Sequence, residues 1–323
     1  MKFRLATSQD KEYVLNFCKN TFSWGDYIDR VWDSWISEPN SIFLVAEIEN
    51  HNIKEEDKKP IAIAHGILIP EKTIWIEGIR VNPEYRKRKL ATNLINYIID
   101  YGRKKEATHS AAIVSIKNKA SKKVMKKSGF EVIAKWSYIS TDQMILPSKS
   151  NLIGTFKIAN SNDYQQIINF LRNSKIFNQS GKKFVKSWRW YDLTDDRLFI
   201  MIYNKQVIIV GDNNDDDNND NDKDKLQTIR GIAIIDREGY WNNQNIFQIV
   251  YIDADSEDLL LSLINKSLDL ALKHNNEKYI NKKNKNKYEN IQIFSPYREY
   301  NFTIFTKLNT SFSEQFLLYY KKI

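Results

Sequence analysis

Hydrophobic and polar positions follow two periods along the first 140 residues, and each change of period marks an element. Residues 2–6 read as a strand, and "TSQDKEYVLNFCKN" passes from a Ser/Asp cap into an amphipathic helix over 9–20. A second helical stretch, "WGDYIDRVWDSWI", covers 24–36. Strands follow at 41–48, 60–69 and 73–82, and in the last, period-two alternation places Trp75, Glu77, Ile79 and Val81 on one face. A turn with four consecutive cations, Arg86 to Lys89, leads into a helix with Leu90, Leu94, Tyr97, Ile98 and Tyr101 at helical spacing. Strand 109–116 precedes a short helix, 118–128, which Asn118 caps and Gly129 stops. Strand 130–140 closes the unit. The pattern predicts an α/β fold with a mixed sheet and a strand-to-helix turn at its centre.

The pattern then repeats. "FRLATSQDKEYVLNFCKN" (3–20) aligns without a gap on "FKIANSNDYQQIINFLRN" (156–173), with seven identities that include Phe3/Phe156, Asp10/Asp163 and Phe17/Phe170. The offset of 153 holds at Trp35/Trp188, and "SIFLVAEIEN" is matched to "DRLFIMIYNK" after a small slip. "LINYIIDYGRKK" is matched to "LINKSLDLALKH". A common offset with a common element order predicts a duplicated domain, with units at 1–148 and 149–323.

Composition narrows the chemistry. The chain has 323 residues, 42% of them hydrophobic, enough for two real cores. The segment 211–225, "GDNNDDDNNDNDKDK", carries −5 against a chain total of +9, which leaves +14 elsewhere and favours an anionic partner. That acidic segment reads as a disordered insert between neighbouring strands, "QVIIV" and "IRGIAII", and it lacks the Gly and Glu positions of a calcium loop. A second polar stretch, 274–290, reads as another long loop. The single cysteine, Cys18, lies in an apolar context and reads as a structural thiol. The four histidines are scattered, so no metal site is expected. No apolar run suits a membrane span and no N-terminal leader pattern is present, so a cytoplasmic protein is expected. No nucleic-acid-binding motif accompanies the basic patches, so nucleic acid is not the expected partner.

The basic turn carries the functional signal. A helix start after a strand presents unpaired N–H groups and the positive end of a dipole, and flanking cations make it a ready diphosphate site. Neither GxxxxGK[ST] nor GxGxxG occurs. "IEGIRVNPEYRKRKLATNLI" resembles the central motif of the GNAT superfamily of N-acetyltransferases, in which V-x-P-x-Y-R precedes the pyrophosphate loop R/Q-x-x-G-x-G/A. The loop maps onto Arg86-Lys87-Arg88-Lys89-Leu90-Ala91, and the family's N-x-x-A/S helix ending in G-F resembles Asn118 to Ser121 through Gly129-Phe130. The resemblance implies two GNAT-like mixed-sheet domains in tandem, the second degenerate.

The resemblance also implies acetyl-CoA as acetyl donor, its pantetheine arm lying between splayed fourth and fifth strands. Its cofactor contacts fall on Ile79, Val81, Arg86, Lys87, Arg88, Lys89, Leu90, Ala91, Thr92, Asn118, Ser121 and Lys122. Glu77 is the candidate general base, with a solvated or salt-bridged strand carboxylate as the alternative. The backbone N–H near Val81 is the candidate oxyanion donor. Trp24 and Tyr27 are placed in the acceptor pocket beside Glu77, while Trp32, Trp35, Trp188, Trp190 and Tyr297 read as core or pocket aromatics. Two positions depart from the family pattern. Lys89 stands where the loop prefers glycine, and Met125 stands where a tyrosine often serves as general acid.

In the second half, "DADSEDLLLSLINKSL" replaces the cations with Asp253, Asp255, Glu257 and Asp258, so that copy is not expected to bind coenzyme A. A weaker resemblance to histidine N-acetyltransferase-like two-domain enzymes implies a free amino acid or small amine as acceptor. A peptide or protein amine, and a non-catalytic acyl-CoA sensor, stay open as alternatives. Oligomeric state stays open too, a monomer being compatible with a tandem fold that acts as its own pseudo-dimer.

Overall fold

The computed structural model describes residues 1–22, 25–48, 59–141, 152–213, 226–241, 244–279, 288–299 and 312–323. The acidic segment from 214 to 225, Trp24 and the expected domain junction at 148/149 lie outside them. In chain order the first elements are β1 (Lys2–Leu5), α1 (Lys11–Cys18), α2 (Ile28–Ser37), β2 (Ser41–Glu47), β3 (Pro60–Ile69), β4 (Thr73–Val81), α3 (Leu90–Lys104), β5 (His109–Ser115), α4 (Lys119–Lys127) and β6 (Glu131–Thr141). Next come β7 (Thr155–Ile158), α5 (Tyr164–Asn173), α6 (Lys175–Gln179), β8 (Lys183–Lys186), β9 (Arg189–Asp192) and α7 (Asp195–Tyr203). The last are β10 (Val207–Asn213), β11 (Leu226–Trp241), β12 (Gln244–Ala254), α8 (Glu257–Tyr279), β13 (Tyr288–Pro296) and β14 (Phe312–Lys322). Among the described residues no helix is long and apolar enough to cross a membrane.

The chain divides into two compact units, one of Met1–Val132 with Leu317–Ile323, the other of Ile133–Phe316. In the first unit the strands run β1-β2-β3-β4-β5 and then the end of β14; β1 to β4 pair antiparallel and β4 pairs parallel with β5. Alternation sends the side chains of β2 to two cores. Ile42, Leu44 and Ala46 join Leu90, Leu94, Ile95, Ile98 and Ile99 of α3 on one face. Phe43 and Val45 join Val14, Ile28, Trp32 and Trp35 of α1 and α2 on the other. A fully buried aliphatic or aromatic side chain of this kind stabilises by about 1.5–3 kcal/mol, so these two faces hold the unit together. Burial on α3 favours Ile95 and Ile99 over the expected Tyr97, which is 44% exposed.

β6 does not close the first unit as expected. From Ile133 onward it belongs to the second, where it pairs antiparallel with β13 (Ile291↔Thr141 to Pro296↔Trp136). The end of β14 fills the corresponding place beside β5. Tyr319 is buried in the α3-side core, Ile323 N donates to Thr108 O at 2.9 Å, and Lys321 Nζ donates to Ser128 O at 2.8 Å.

In the second unit the order is β7-β10-β11-β12-β13-β6, with β12 and β13 parallel and the other pairs antiparallel. Its first turn has the same construction as that of the first unit. Thr7 N donates to Asp10 at 2.8 Å and Arg4 donates to the same carboxylate, while Asn160 N donates to Asp163 at 2.9 Å and Lys157 pairs with it at 3.1 Å. Elsewhere the two halves differ. "DRLFIMIYNK", expected as a strand, lies mostly in α7, because Thr194 caps Arg197 N and Asp195 and Asp196 occupy the first turn. β10 lies beside β7 as β2 lies beside β1. Trp188 sits at positive φ in the turn between β8 and β9, whereas Trp35 is on a helix, so that match does not extend to structure. Residues 274–279, expected in a loop, continue α8.

Candidate functional site

β4 is regular to Glu77 and irregular after it. His65 pairs with Glu77 and Ile63 with Arg80, so three steps on β4 face two on β3, and the extra residue is Gly78 at φ +64°. This is a β-bulge with glycine in the left-handed region, which re-aims the side chains beyond it. Trp75 and Glu77 share a face, with Trp75 Nε1 donating to Glu77 Oε2 at 3.1 Å. Ile79 and Val81 instead pack on the α3-side core with Ile74 and Ile76. The expected single face for Trp75, Glu77, Ile79 and Val81 is thus corrected; the bulge hands the Glu77 face to Arg80.

Arg80 makes a two-pronged pair with Asp26, Nε to Oδ2 at 2.7 Å and Nη2 to Oδ1 at 3.0 Å, both side chains being largely buried. Its guanidinium lies over the rings of Tyr27 and Phe22 at 5.0 and 5.2 Å. Tyr27 is half-buried, and burial, with Glu77 and Asp26 nearby, raises its phenol above the usual range against the pull of Arg80. It therefore stays protonated at neutral pH. Cys18 lies behind this pair, and burial pushes its thiol up to about 12, which suits a structural rather than a nucleophilic residue.

Glu77 is engaged on both oxygens. Besides Trp75, His65 Nδ1 lies 3.0 Å from Oε1. His65 is wholly buried, its ring stacked on Trp35 at 4.4 Å with 4° between planes, and its Nε2 faces Glu38 Oε2 at 3.6 Å. Sequence reasoning missed Glu38, His65, Asp26 and Arg80. A lone histidine inside "IAIAHGILI" was the available signal; its partners come from other elements.

The parallel pairing of β4 with β5 covers only Thr73↔His109, Ile74↔Ser110 and Trp75↔Ala111, although β4 continues to Val81 and β5 to Ser115. Beyond Trp75 the two strands part. At the end of β4 the chain turns through Pro83–Tyr85 into the basic run, where Arg86, Lys87, Arg88 and Lys89 are all exposed. Lys87 and Lys89 have φ of 64° and 60°. Lys89 thus takes up the left-handed conformation that a glycine would occupy, and it caps α3 without a side-chain hydrogen bond. The first-turn N–H groups of Leu90, Ala91 and Thr92 have no intrahelical acceptors, by the geometry of a helix start. Arg88 stacks over Tyr85 at 5.1 Å.

Asn118 caps α4 by accepting from Ser121 N at 2.9 Å; Ser121 and Lys122 are half-buried there. Met125 is buried in the α3-side core with Leu90 and Phe130. A left-handed lysine costs about 1–2 kcal/mol relative to the right-handed region. Part of any gain on substitution is offset by the greater freedom of glycine in the unfolded chain. Lys89→Gly is therefore expected to stabilise the protein by about 0.5–1 kcal/mol, read as a higher thermal midpoint; a lower one would show that the lysine side chain supports the fold.

The second unit presents different chemistry. α8 opens with Glu257 and Asp258 in its first turn. A cavity of about 570 Å³ lies between α5, β11 and the end of β12, lined among others by Gln166, Asn173, Thr228 and Asp253. Asp253 is buried and accepts from Ser174, Tyr251 and Arg298; burial holds its carboxyl above the usual range against the opposing effect of Arg298. Trp190 is core, packed on Trp136 and Phe294, Trp188 lies against Tyr138 and Phe316, and Tyr297 receives Lys135 at 3.4 Å.

Residues 10–130 match the model of the acetyltransferase (GNAT) family. No match is found among curated proteins. The fold is similar over nearly the full length of two solved structures. One is a GCN5-related N-acetyltransferase from Sphaerobacter thermophilus (TM-score 0.59, 10% identity, 99% of this chain and 95% of the other). The other is a protein from Thermoplasma acidophilum provisionally described as an acetyltransferase (TM-score 0.50, 13% identity, 100% of both chains).

Proposed function

We propose that this protein, whose residues 10–130 match the model of the acetyltransferase (GNAT) family, is an acetyl-CoA-dependent N-acetyltransferase acting on a free amino acid or other small primary amine. The observation that carries the reading is the parting of β4 and β5 beyond Trp75 and Ala111, at the strand end that leads to an open helix start and four exposed cations. In this reading Lys87 to Thr92 hold the diphosphate, Arg86 adds charge, and Asn118, Ser121 and Lys122 border the same mouth. Ile79 and Val81 line the strand along which the pantetheine arm lies, and the Val81 N–H polarises the thioester oxygen. Glu77 accepts the proton of the attacking ammonium. The freed amine forms the N–C bond as the C–S bond breaks, and the nitrogen passes its second proton to the departing sulfur or to water. The thiolate leaves without a strong acid because a thiol ionises near pH 8.5. A buried Met125 is consistent with that. Tyr27 borders the acceptor, and the proposed contact of Trp24 falls outside the described residues.

We read the second unit as a degenerate copy of the first, with copies at 1–148 and 149–323 that have exchanged their last strands. The shared strand order, the parallel pair at the same place and the matching Asp10 and Asp163 turns support this. The acidic start of α8 would repel a diphosphate, so one acetyl-CoA per chain is expected. Calorimetric titration of acetyl-CoA, followed by thiol release across amino acids and polyamines, tests the proposal. One site per chain with release for one amine class is the expected result. Binding without turnover on small amines or peptides would favour an acyl-CoA sensor, and release only with peptides a protein-amine acceptor. Absence of binding would overturn both.

A further inference from the structure

We propose that His65 is the positioning residue for Glu77, an inference that rests on the acetyl transfer proposed above. An ionised carboxylate can only accept hydrogen bonds, so the 3.0 Å contact between Glu77 Oε1 and His65 Nδ1 places the ring proton on Nδ1. Trp75 Nε1, which can only donate, holds Oε2 at 3.1 Å. Glu77 is the last residue before the bulge, so the strand alone fixes its Cα but not its three side-chain torsions. The two donors fix the carboxylate.

The ring itself has no freedom to turn. His65 is wholly buried, stacked face to face on Trp35 and edge-on to Phe43 at 5.9 Å. Its Nε2 makes no hydrogen bond among the described residues and faces Glu38 Oε2 at 3.6 Å, within ion-pair range. Glu38 ends α2, and its side chain is 22% exposed. A neutral histidine has a donor nitrogen and an acceptor nitrogen to satisfy. This one stands between two carboxylates brought from different elements, one of them the proposed base.

Glu38, His65 and Glu77 are also close enough together to suggest a metal site. The geometry argues against one. The carboxylates lie against different ring nitrogens, whereas one ion takes only one of them, and Nδ1 is already committed to Glu77. The charged groups that face this cluster are Glu77 from β4 and Glu38 after α2, with the Asp26–Arg80 pair and Tyr27 beyond Glu77.

The test separates a grip on Glu77 from a structural role. Asparagine puts an amide N–H near the place of Nδ1, and glutamine puts one near Nε2. His65→Gln is expected to lower kcat by about 10–100-fold with the acetyl-CoA Kd unchanged, and His65→Asn to recover most of that loss. Nitrogen-15 NMR of the histidine rings supplies a readout that needs no turnover: His65 is expected to carry its proton on Nδ1, with that signal shifted in Glu77→Gln. A bare Nδ1, a His65→Gln variant with the wild-type kcat, or equal losses in the two variants would overturn the proposal. A protein that binds acetyl-CoA yet turns over no amine would sink the acetyl transfer instead, while the NMR result still decides the His65–Glu77 geometry. Titration with zinc chloride completes the set: tight binding abolished by His65→Asn would make the cluster a metal site and overturn the positioning role.

Discussion

Glu77→Gln is expected to lower kcat at neutral pH by about 100-fold or more while acetyl-CoA binding is retained. The substitution preserves shape and removes the base. Its consequences for the fold follow from the two donors on Glu77. Trp75 can only donate, so the glutamine oxygen must face it and the amide nitrogen must face His65. His65 then accepts at Nδ1 and moves its proton to Nε2, opposite Glu38. This tautomer change avoids a buried donor–donor clash, so the thermal midpoint should fall little. The sign with pH is fixed. The base matters while the acceptor is an ammonium ion, so the gap between the variant and the wild type narrows as pH rises towards about 10, where amines of lysine type lose their proton unaided. Stopped-time thiol release from pH 6 to 10 measures both effects. A variant as fast as the wild type at pH 7 would remove Glu77 from the mechanism.

Gly78→Ala should have the largest effect on stability. A Cβ at Gly78 would stand 2.4 Å from the indole of Trp35, and the backbone there has φ +64°. Overpacking costs about 1–3 kcal/mol and the left-handed conformation about 1–2 kcal/mol, so a loss of about 2–5 kcal/mol is expected. Trp35 also stacks on His65, so its displacement would loosen the donor that holds Glu77. Urea midpoints measure the loss. The double variant Gly78→Ala with Trp35→Leu should not regain the wild-type midpoint, because removing the clash leaves the backbone term. A single variant as stable as the wild type would mean that the bulge lies elsewhere.

Much of the first unit was legible because its signals are local. The spacing of Leu90, Leu94 and Ile98, the cap at Asn118 and the stop at Gly129 each specify an element from neighbouring residues, and each is found in place. The Lys89 departure was also visible, though its left-handed backbone was not. The face change at Gly78 was missed, because period-two alternation carries no mark of an extra residue except the glycine itself. The helix at 195–203 was mistaken for a strand, since a short apolar run fits either period and only the Thr194 cap separates them. The grip on Glu77 was out of reach. His65, Trp75 and Glu38 meet through pairing and packing, and no sequence interval brings them together.

The place of Leu317–Ile323 in the first unit also sets an order of assembly. A ribosome releases the part that carries Glu77, the basic turn and α4 early, but Leu317–Ile323, which must lie beside β5, emerge only after residues 133–316 have been made. Until then the edge of β5 stays open to any other strand, a hazard that folding chains meet during synthesis. The half that carries the proposed chemistry waits on Leu317–Ile323, so a chain cut short anywhere in the second unit would lack a strand of the first.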